Sequence, residues 1–399
     1  MEICIAGKNK IATDGLELAI AELGKENVIV CPNMGDDGIS RWQPSLRRFA
    51  KELNVEIVKL EELYEKEDLI FISLEFDRIV CPGRFKTKKL FNVHFSKLPA
   101  YKGMYTSAWP ILNGEKCSGV TLHKIDEGID TGDIIDQVEL ELGEEETARS
   151  LYFSYMESAK IVLNRNLRAL IEDKYTSTPQ PAAGASYYSK SSIDYSHLTI
   201  DLKNTAEFVC RQARAFCFRE FQLPQINSFP LDKGQILGSK SRGSVGKVIP
   251  DGPDAIIVST IDFHVKFKRN KSWDFFHLVE ESDAIGIANY SFEQDLINST
   301  DANGWTPLII AAYNGKSAIC QALIDSGAEV NKPNQNGTTP LMYAKEYGVR
   351  TGDFSVCKLL LDCGADLSTS DRFGKTLMDY IQKGNEMAAI NFFGDLNNA

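Results

Sequence analysis

Residues 90–95 read Leu-Phe-Asn-Val-His-Phe, an apolar strand pattern interrupted by an amide and an imidazole. On a strand, Phe91, Val93 and Phe95 point one way, while Asn92 and His94 point the other near its C-terminal end. That end is where open α/β sheets bind ligands. An amide there can donate to an oxygen gaining charge, and an imidazole can carry a proton. Further on, Gly119-Val-Thr-Leu-His123 runs into a glycine-rich acidic loop, Asp126-Glu-Gly-Ile-Asp130-Thr-Gly132-Asp133. Its aspartates are spaced 4 and 3 apart, unlike the Asp-x-Asp-x-Asp-Gly pattern of calcium loops, so no metal is expected. Taken singly, a strand histidine is more often a satisfied polar residue than a catalyst.

Two other stretches are candidates for a pocket rim. Gly7-Lys8-Asn9 follows the first strand and can meet a substrate phosphate or sugar with backbone donors and a lysine; the alternative is a simple strand-to-helix turn. Asp77-Arg-Ile-Val-Cys-Pro82 is, as bare sequence, only a strand edge. Gly238–Lys247 is not a phosphate loop, because the GxxxxGK[ST] spacing fails.

The elements that hold these residues alternate between short apolar runs and helical patterns. Strands are expected at Ile3–Ala6, Val28–Cys31, Leu69–Ser73, Leu90–Phe95, Val120–His123 and Ile134–Leu140, with helices at Gly15–Leu23 and Arg47–Leu53. This predicts an α/β fold, a mainly parallel sheet with helices on both faces. Leu151, Tyr155, Ala159, Val162, Leu163, Leu167 and Leu170 lie along one stripe of a long helix, with Glu144, Glu145 and Glu146 near its positive end. Thr178-Pro-Gln-Pro-Ala-Ala-Gly184 reads as a linker or an extended wrap. A helix at Phe208–Phe216 and short strands between turn signals at Gly243, Gly246 and Pro250-Asp-Gly252 suggest a small β-subdomain.

The last third repeats. Gly304-Trp-Thr-Pro-Leu308 recurs as Gly337-Thr-Thr-Pro-Leu341 after 33 residues, and in degraded form as Gly374-Lys-Thr-Leu-Met378 after 37. The difference is an insertion of about four residues around Val349–Asp353. The pattern resembles the ankyrin repeat over about residues 274–399, with Thr-Pro opening a helix where proline loses no hydrogen bond.

At 399 residues, with 43% hydrophobic and 25% charged side chains, the chain suits two or three globular domains. The expected division is 1–180, 181–270 and 271–399. A net charge of −11 disfavours a sequence-independent grip on nucleic acid. Nine cysteines without a CxxC pair read as reduced thiols. MEICIAGKNK lacks the features of a signal peptide, and no apolar run is long enough for a membrane span. A soluble, cytoplasmic protein is expected.

Asn92-x-His94, Ser96-x-Leu-Pro99 and Asp126-x-Gly-x-Asp130-x-Gly132, in that order, resemble the formyltetrahydrofolate-dependent formyltransferases over roughly residues 1–170. The resemblance implies N10-formyltetrahydrofolate as formyl donor, no metal, and Asn92, His94 and Asp130 as catalytic residues. An amine attacks the formyl carbon; Asn92 would donate to the oxygen, His94 would move the amine's proton, and Asp130 would orient the imidazole and support its positive form. It further implies that the main chain of Arg78, Ile79, Val80 and Cys81, with Asp126 and Asp130, contacts the folate.

Beyond the catalytic part, Tyr187-Tyr-Ser-Lys190 and Cys210-Arg-Gln-Ala-Arg214 resemble segments of sugar-nucleotide N-formyltransferases of the dTDP-3-amino-3,6-dideoxyglucose type, which carry ankyrin repeats. The implied substrate set is Lys8, Asn9, Tyr105, Trp109, Tyr188, Lys190, Arg211 and Arg214, in a homodimer serving lipopolysaccharide O-antigen synthesis. The alternatives are a 4-amino sugar nucleotide, a UDP sugar or methionyl-tRNA as acceptor, or an ankyrin scaffold with an inactive enzyme domain. The ankyrin part is expected to bind a protein; a second nucleotide ligand stacked on Trp305, Tyr313 and Tyr343 is the alternative to simple packing.

Overall fold

A computed structural model describes residues 1–38, 43–219, 221–241, 245–281, 283–290, 294–300, 304–384 and 386–396. Gly243, expected at a turn, lies outside these residues, as do parts of the stretch resembling ankyrin repeats. The chain divides into two compact units, Met1–Arg269 and Asn270–Ala399.

In the first unit the apolar runs form one seven-stranded sheet. Its strands are β1 (Glu2–Gly7), β2 (Val28–Pro32), β3 (Glu56–Ile57), β4 (Leu69–Leu74), β5 (Leu90–His94), β7 (Cys117–Lys124) and β8 (Ile134–Glu141), in the order β3-β2-β1-β4-β5-β7-β8. The first five are parallel, and β7 and β8 run antiparallel. Alternation along the strands divides the core. Ile3, Ile5, Ile72, Phe91 and Val93 pack with helices α1 (Asn9–Leu23), α2 (Leu46–Leu53) and α5 (Ala148–Ile171). Cys4, Ala6, Cys31, Phe71 and Leu90 face the opposite side, against Leu60 and Leu63 of the short helix α3 (Leu60–Leu63).

The stripe predicted for α5 is buried throughout, and Thr147 caps that helix by accepting from Ser150 N. Helix α1 begins six residues before the expected Gly15. Gly15 is an interior contact instead: a Cβ there would come within 2.4 Å of the Leu74 side chain. The proline-rich stretch wraps over the sheet. Thr178 bridges Ile134, and β9 (Tyr187–Tyr188) pairs with β6 (Lys102–Gly103). A second, antiparallel sheet follows, of β10 (Gln225–Ile226), β11 (Phe229–Lys240), β12 (Val248–Pro250), β13 (Ala255–Ser259) and β14 (Phe263–Arg269). Helix α6 (Ala206–Ala215) packs on it through Val209, Cys210 and Ala213.

Strand order reverses between β1 and β4, where Glu75 follows β4 with a left-handed backbone, φ 57°. Its Oε2 accepts from Asn9 Nδ2 at 3.0 Å and from the Tyr152 hydroxyl at 2.8 Å. Burial pushes the carboxyl above its ordinary value, against the lowering pull of Lys8 and of these hydrogen bonds.

In the second unit, α10 (Pro307–Tyr313) pairs with α11 (Ser317–Asp325), and α12 (Pro340–Thr351) with α13 (Ser355–Asp362). Thr306 and Thr339 cap α10 and α12, each followed by proline at the first helical position. The insertion extends α12, which has 12 residues where α10 has 7. Asn331 joins successive repeats, donating to Gly364 O and accepting from Asp366 N; Asn298, 33 residues earlier, makes the same pair of bonds to Gly327 and Glu329. Lys345 is buried and its ammonium contacts Glu346 and Glu386 at 2.6 and 3.1 Å. Among the described residues no helix is long and apolar enough to cross a membrane.

Two stability outcomes are expected. A raised folded-state pKa favours folding below the unfolded value of about 4.3 and loses that contribution as pH rises through the folded value. Glu75→Gln should therefore raise Tm at about pH 8, and the gain should vanish near pH 4. Thermal melts at both pH values check this; a variant less stable than wild type at the higher pH would refute it. Glu386→Ala, which strips a buried ammonium of a partner, should cost about 2 kcal/mol more than Lys345→Met in denaturant titrations.

Candidate active site

The antiparallel pairing of β5 with β7 sets Asn92 directly opposite His123 and His94 opposite Thr121. Phe91, Val93 and Phe95 enter the core on the other face, as the alternation predicts. Asn92 Nδ2 lies 3.1 Å from His123 Nε2 and donates to Asp130 Oδ1 at 3.3 Å. His94 Nε2 lies 2.9 Å from the carbonyl of Tyr101, an acceptor, so Nε2 carries the proton of the neutral ring and Nδ1 is left to accept one. Tyr101 reaches this geometry with a left-handed backbone, φ 60°.

Asp130 closes the cluster. Its Oδ2 accepts from Gly103 N at 2.9 Å and lies 3.5 Å from His94 Nδ1. That is too long for a good hydrogen bond but close enough to stabilise an imidazolium. The carbonyl of Tyr101 orients the ring, and Asp130 supplies charge. Burial pushes the Asp130 carboxyl up, but neighbouring His94 and His123, with the Gly103 N–H, outweigh it and hold the group well below the ordinary carboxylate value. Asp126, exposed, accepts from Gly128 N and Thr131 Oγ1 and so shapes the loop. Gln180 donates to the carbonyls of Asp130 and Gly132 at 2.9 and 2.8 Å. A hydrogen-bond donor, a proton acceptor and a fixed anion thus meet at the end of one strand, the set needed to pass an acyl-type group to an amine.

Several residues named for the acceptor also converge. Trp109 opens α4 (Trp109–Asn113) and stacks on Tyr188 with ring centroids 4.0 Å apart and planes at 21°. Tyr101 lies parallel to Tyr188 at 5.8 Å, and Asn113 Nδ2 donates to both tyrosine hydroxyls. Arg211 lies against the end of α4; a Cβ at Gly114 would stand 2.1 Å from its Nη1. Arg214 follows on the same helix. Trp109 Nε1, Arg211 Nε and Arg214 Nε are all buried without a hydrogen-bond partner, and Glu207 approaches the two guanidinium groups only to 3.9 and 4.0 Å. Buried donors normally find acceptors, so the three nitrogens in this wall are left with unmet hydrogen-bonding capacity. Tyr105 donates to the main chain of Lys190, whose side chain is exposed beside it.

The other named residues sit apart from this wall. Lys8 is exposed at the start of α1, and both Asn9 Nδ2 bonds go inward to Glu75 and Tyr152. Asp77–Pro82 is a loop after β4 rather than a strand edge, leading to a 3-10 turn at Pro82–Arg84. Arg78 turns inward to Cys31 Sγ at 3.2 Å; Val80 packs on the core, Ile79 is exposed, and Cys81 is exposed. Among the described residues, neither Ile79 nor Val80 bonds its main chain to other backbone. The nine cysteines are free thiols, and no group of acidic, His and Cys side chains among the described residues could hold a metal.

In the second unit Trp305, Tyr313 and Tyr343 pack on one another with centroids 4.5–5.8 Å apart, Trp305 being buried. Sequence reasoning missed His123, the Tyr101 carbonyl and Gln180. His123 carried a signal: with Thr121 it makes the same polar alternation in an apolar strand that singled out Asn92 and His94.

The chain matches the family described as formyl transferase over residues 68–167, and ankyrin repeats in three copies over residues 276–384. Methionyl-tRNA formyltransferase of Alkaliphilus oremlandii is 33% identical over 226 residues, 55% of this chain and 69% of that protein. WlaRD, a sugar 3N-formyl transferase crystallised in the presence of dTDP and 5-N-formyl-THF, is 40% identical with a TM-score of 0.63, covering 67% of this chain and 97% of that one. An N-formyltransferase from Helicobacter canadensis, in complex with folinic acid and dTDP-3-aminofucose, gives the same identity and TM-score over 68% of this chain and 100% of its own. The strand-end cluster and these likenesses agree: the chain belongs to the formyl transferase family, a formyl-transferring enzyme with ankyrin repeats at its C-terminus.

Proposed function

We propose that the protein transfers a formyl group from N10-formyltetrahydrofolate to the amino group of a dTDP-linked amino-dideoxyhexose, with dTDP-3-amino-3,6-dideoxy-D-glucose as the leading acceptor and O-antigen synthesis as the setting. The observation that carries the acceptor class is the wall of Trp109, Tyr188 and Arg211 beside the strand-end cluster, with Arg214 on the same helix as Arg211. Stacked aromatic faces suit a base, and guanidinium groups with unused donors suit a pyrophosphate. The likeness to two sugar N-formyltransferases along nearly their whole length supports the same reading.

The amine nitrogen attacks the formyl carbon as the bond to the donor nitrogen breaks. Asn92 Nδ2 donates to the formyl oxygen while that oxygen carries negative charge, and His94 Nδ1 takes the proton that the amine loses. Asp130 holds the resulting imidazolium, and the proton then passes to the departing donor nitrogen. Asp126 and the main chain of Ile79 and Val80 hold the donor. The ankyrin unit serves as a binding surface for a protein partner, the usual use of that architecture, and the enzyme acts in the cytoplasm as a homodimer.

A coupled assay with N10-formyltetrahydrofolate and a panel of dTDP- and UDP-amino sugars tests this through tetrahydrofolate release. Release is expected with a dTDP-3-amino sugar, and His94→Ala should lower kcat by about 10²–10⁴. Release only with methionyl-tRNA would keep the chemistry and discard the acceptor. Arg211→Met should raise the KM for the nucleotide sugar about 10–100-fold with kcat for the same acceptor nearly kept; an unchanged KM would remove Arg211 from the site.

A further inference from the structure

We propose that His123 is a positioning residue: it fixes which way the Asn92 amide faces the reacting carbon. The inference deepens the proposed formyl transfer and rests on that reading for its kinetic arm.

His123 is 2% exposed, sealed within β7. Its Nδ1 lies 2.7 Å from the carbonyl of Lys124, which can only accept, so Nδ1 carries the hydrogen. The neutral ring then presents a bare Nε2 to the Asn92 Nδ2 at 3.1 Å. An amide nitrogen has two hydrogens. One is held by His123, and the other points to the Asp130 side, where Oδ1 lies at the longer distance of 3.3 Å. The reverse amide orientation would set Asn92 Oδ1 against two acceptors at once, the imidazole lone pair and the carboxylate, so these partners decide the orientation. Asp130 alone restrains the amide less: with an apolar side chain at position 123, only the longer 3.3 Å contact of these two partners is left to set its orientation. The second amide hydrogen is the one available to an oxygen gaining charge, and His123 keeps it aimed. His123 touches neither donor nor acceptor in this role; it acts through Asn92.

Three substitutions separate this role from packing. His123→Gln keeps an acceptor oxygen near the Nε2 position. His123→Phe fills the volume without a lone pair, and His123→Ala removes both. For His123→Phe and His123→Ala, kcat is expected to fall about 100-fold or more, with the KM of both substrates within about threefold of wild type. His123→Gln should recover to within about tenfold of wild-type kcat. In a cycle with Asn92→Ala, the double variant Asn92→Ala/His123→Phe should lose no more than Asn92→Ala alone, because the two residues act as one unit. Full kcat in His123→Phe, a His123→Gln as poor as His123→Phe, or losses that multiply in the double variant would each overturn the proposal.

A second readout needs no turnover. In protein labelled with 15N at its five histidines, with the His123 signal assigned from the His123→Phe spectrum, neutral His123 should carry its proton on Nδ1 with a bare, hydrogen-bonded Nε2. A proton on Nε2 would refute the proposal even in an active enzyme. Absence of any transfer by the wild type would instead sink the proposed function and leave the tautomer to decide this point.

Discussion

A carboxylate taken out of water costs several kcal/mol unless its oxygens are satisfied, and Asp130 is 13% exposed. Its neighbourhood is the answer to that constraint. Gly103 donates a main-chain N–H and Asn92 an amide hydrogen, and His94, once protonated, adds positive charge 3.5 Å away. Gln180 clasps the backbone on either side of the carboxylate, and Asp126 and Thr131 shape the loop that bears it. Each of these partners must be brought from a different stretch of chain. The antiparallel turn-back of β7 against β5 brings His123 to Asn92, and the loop after β5 brings Tyr101 and Gly103. A charge placed for chemistry thereby organises four separate segments.

Much of this was legible in the sequence because it follows from short periods. The parallel strands appear as apolar runs, α5 as a helical stripe, and the pairing of Asn92 with His94 on one face as strict alternation. The ankyrin units were legible for another reason: repetition turns weak local signals into strong ones. What stayed hidden depends on contacts between distant residues. Nothing near Gln180 announces that its amide will reach the carbonyls of Asp130 and Gly132, because the wrap that carries it has no periodicity. Tyr101 acts through its carbonyl, a group every residue has, so its type gave no clue. Asn9 was legible as a turn residue, but its inward pull on Glu75 depends on Tyr152, 143 residues away.

The repeat unit gives a contrast in how sequence maps onto form. The insertion after Gly348 could have made a bulging loop; instead it lengthens α12, with Gly352 in a left-handed conformation ending the helix. Of the residues around the insertion, Val349, Arg350 and Thr351 continue the helix, and none of them is a helix breaker. The break in period is absorbed along a helix axis, and the next repeat resumes with its Asn331-type bridge to Gly364 and Asp366 in place.

The wrap from Thr178 to Tyr188 ties two tasks to one length of backbone. Gln180 holds the loop of Asp130, Ser186 accepts from the Tyr101 main chain that turns His94, and Tyr188 builds the aromatic wall. The support of the strand-end cluster and the aromatic stack therefore share one stretch of backbone. A change that reshapes this stretch also edits the support beneath Asp130 and His94, and a chimera joined at residue 178 would cut through that support. A junction after Tyr188 would leave these contacts whole, because the wrap has by then finished serving the strand-end cluster.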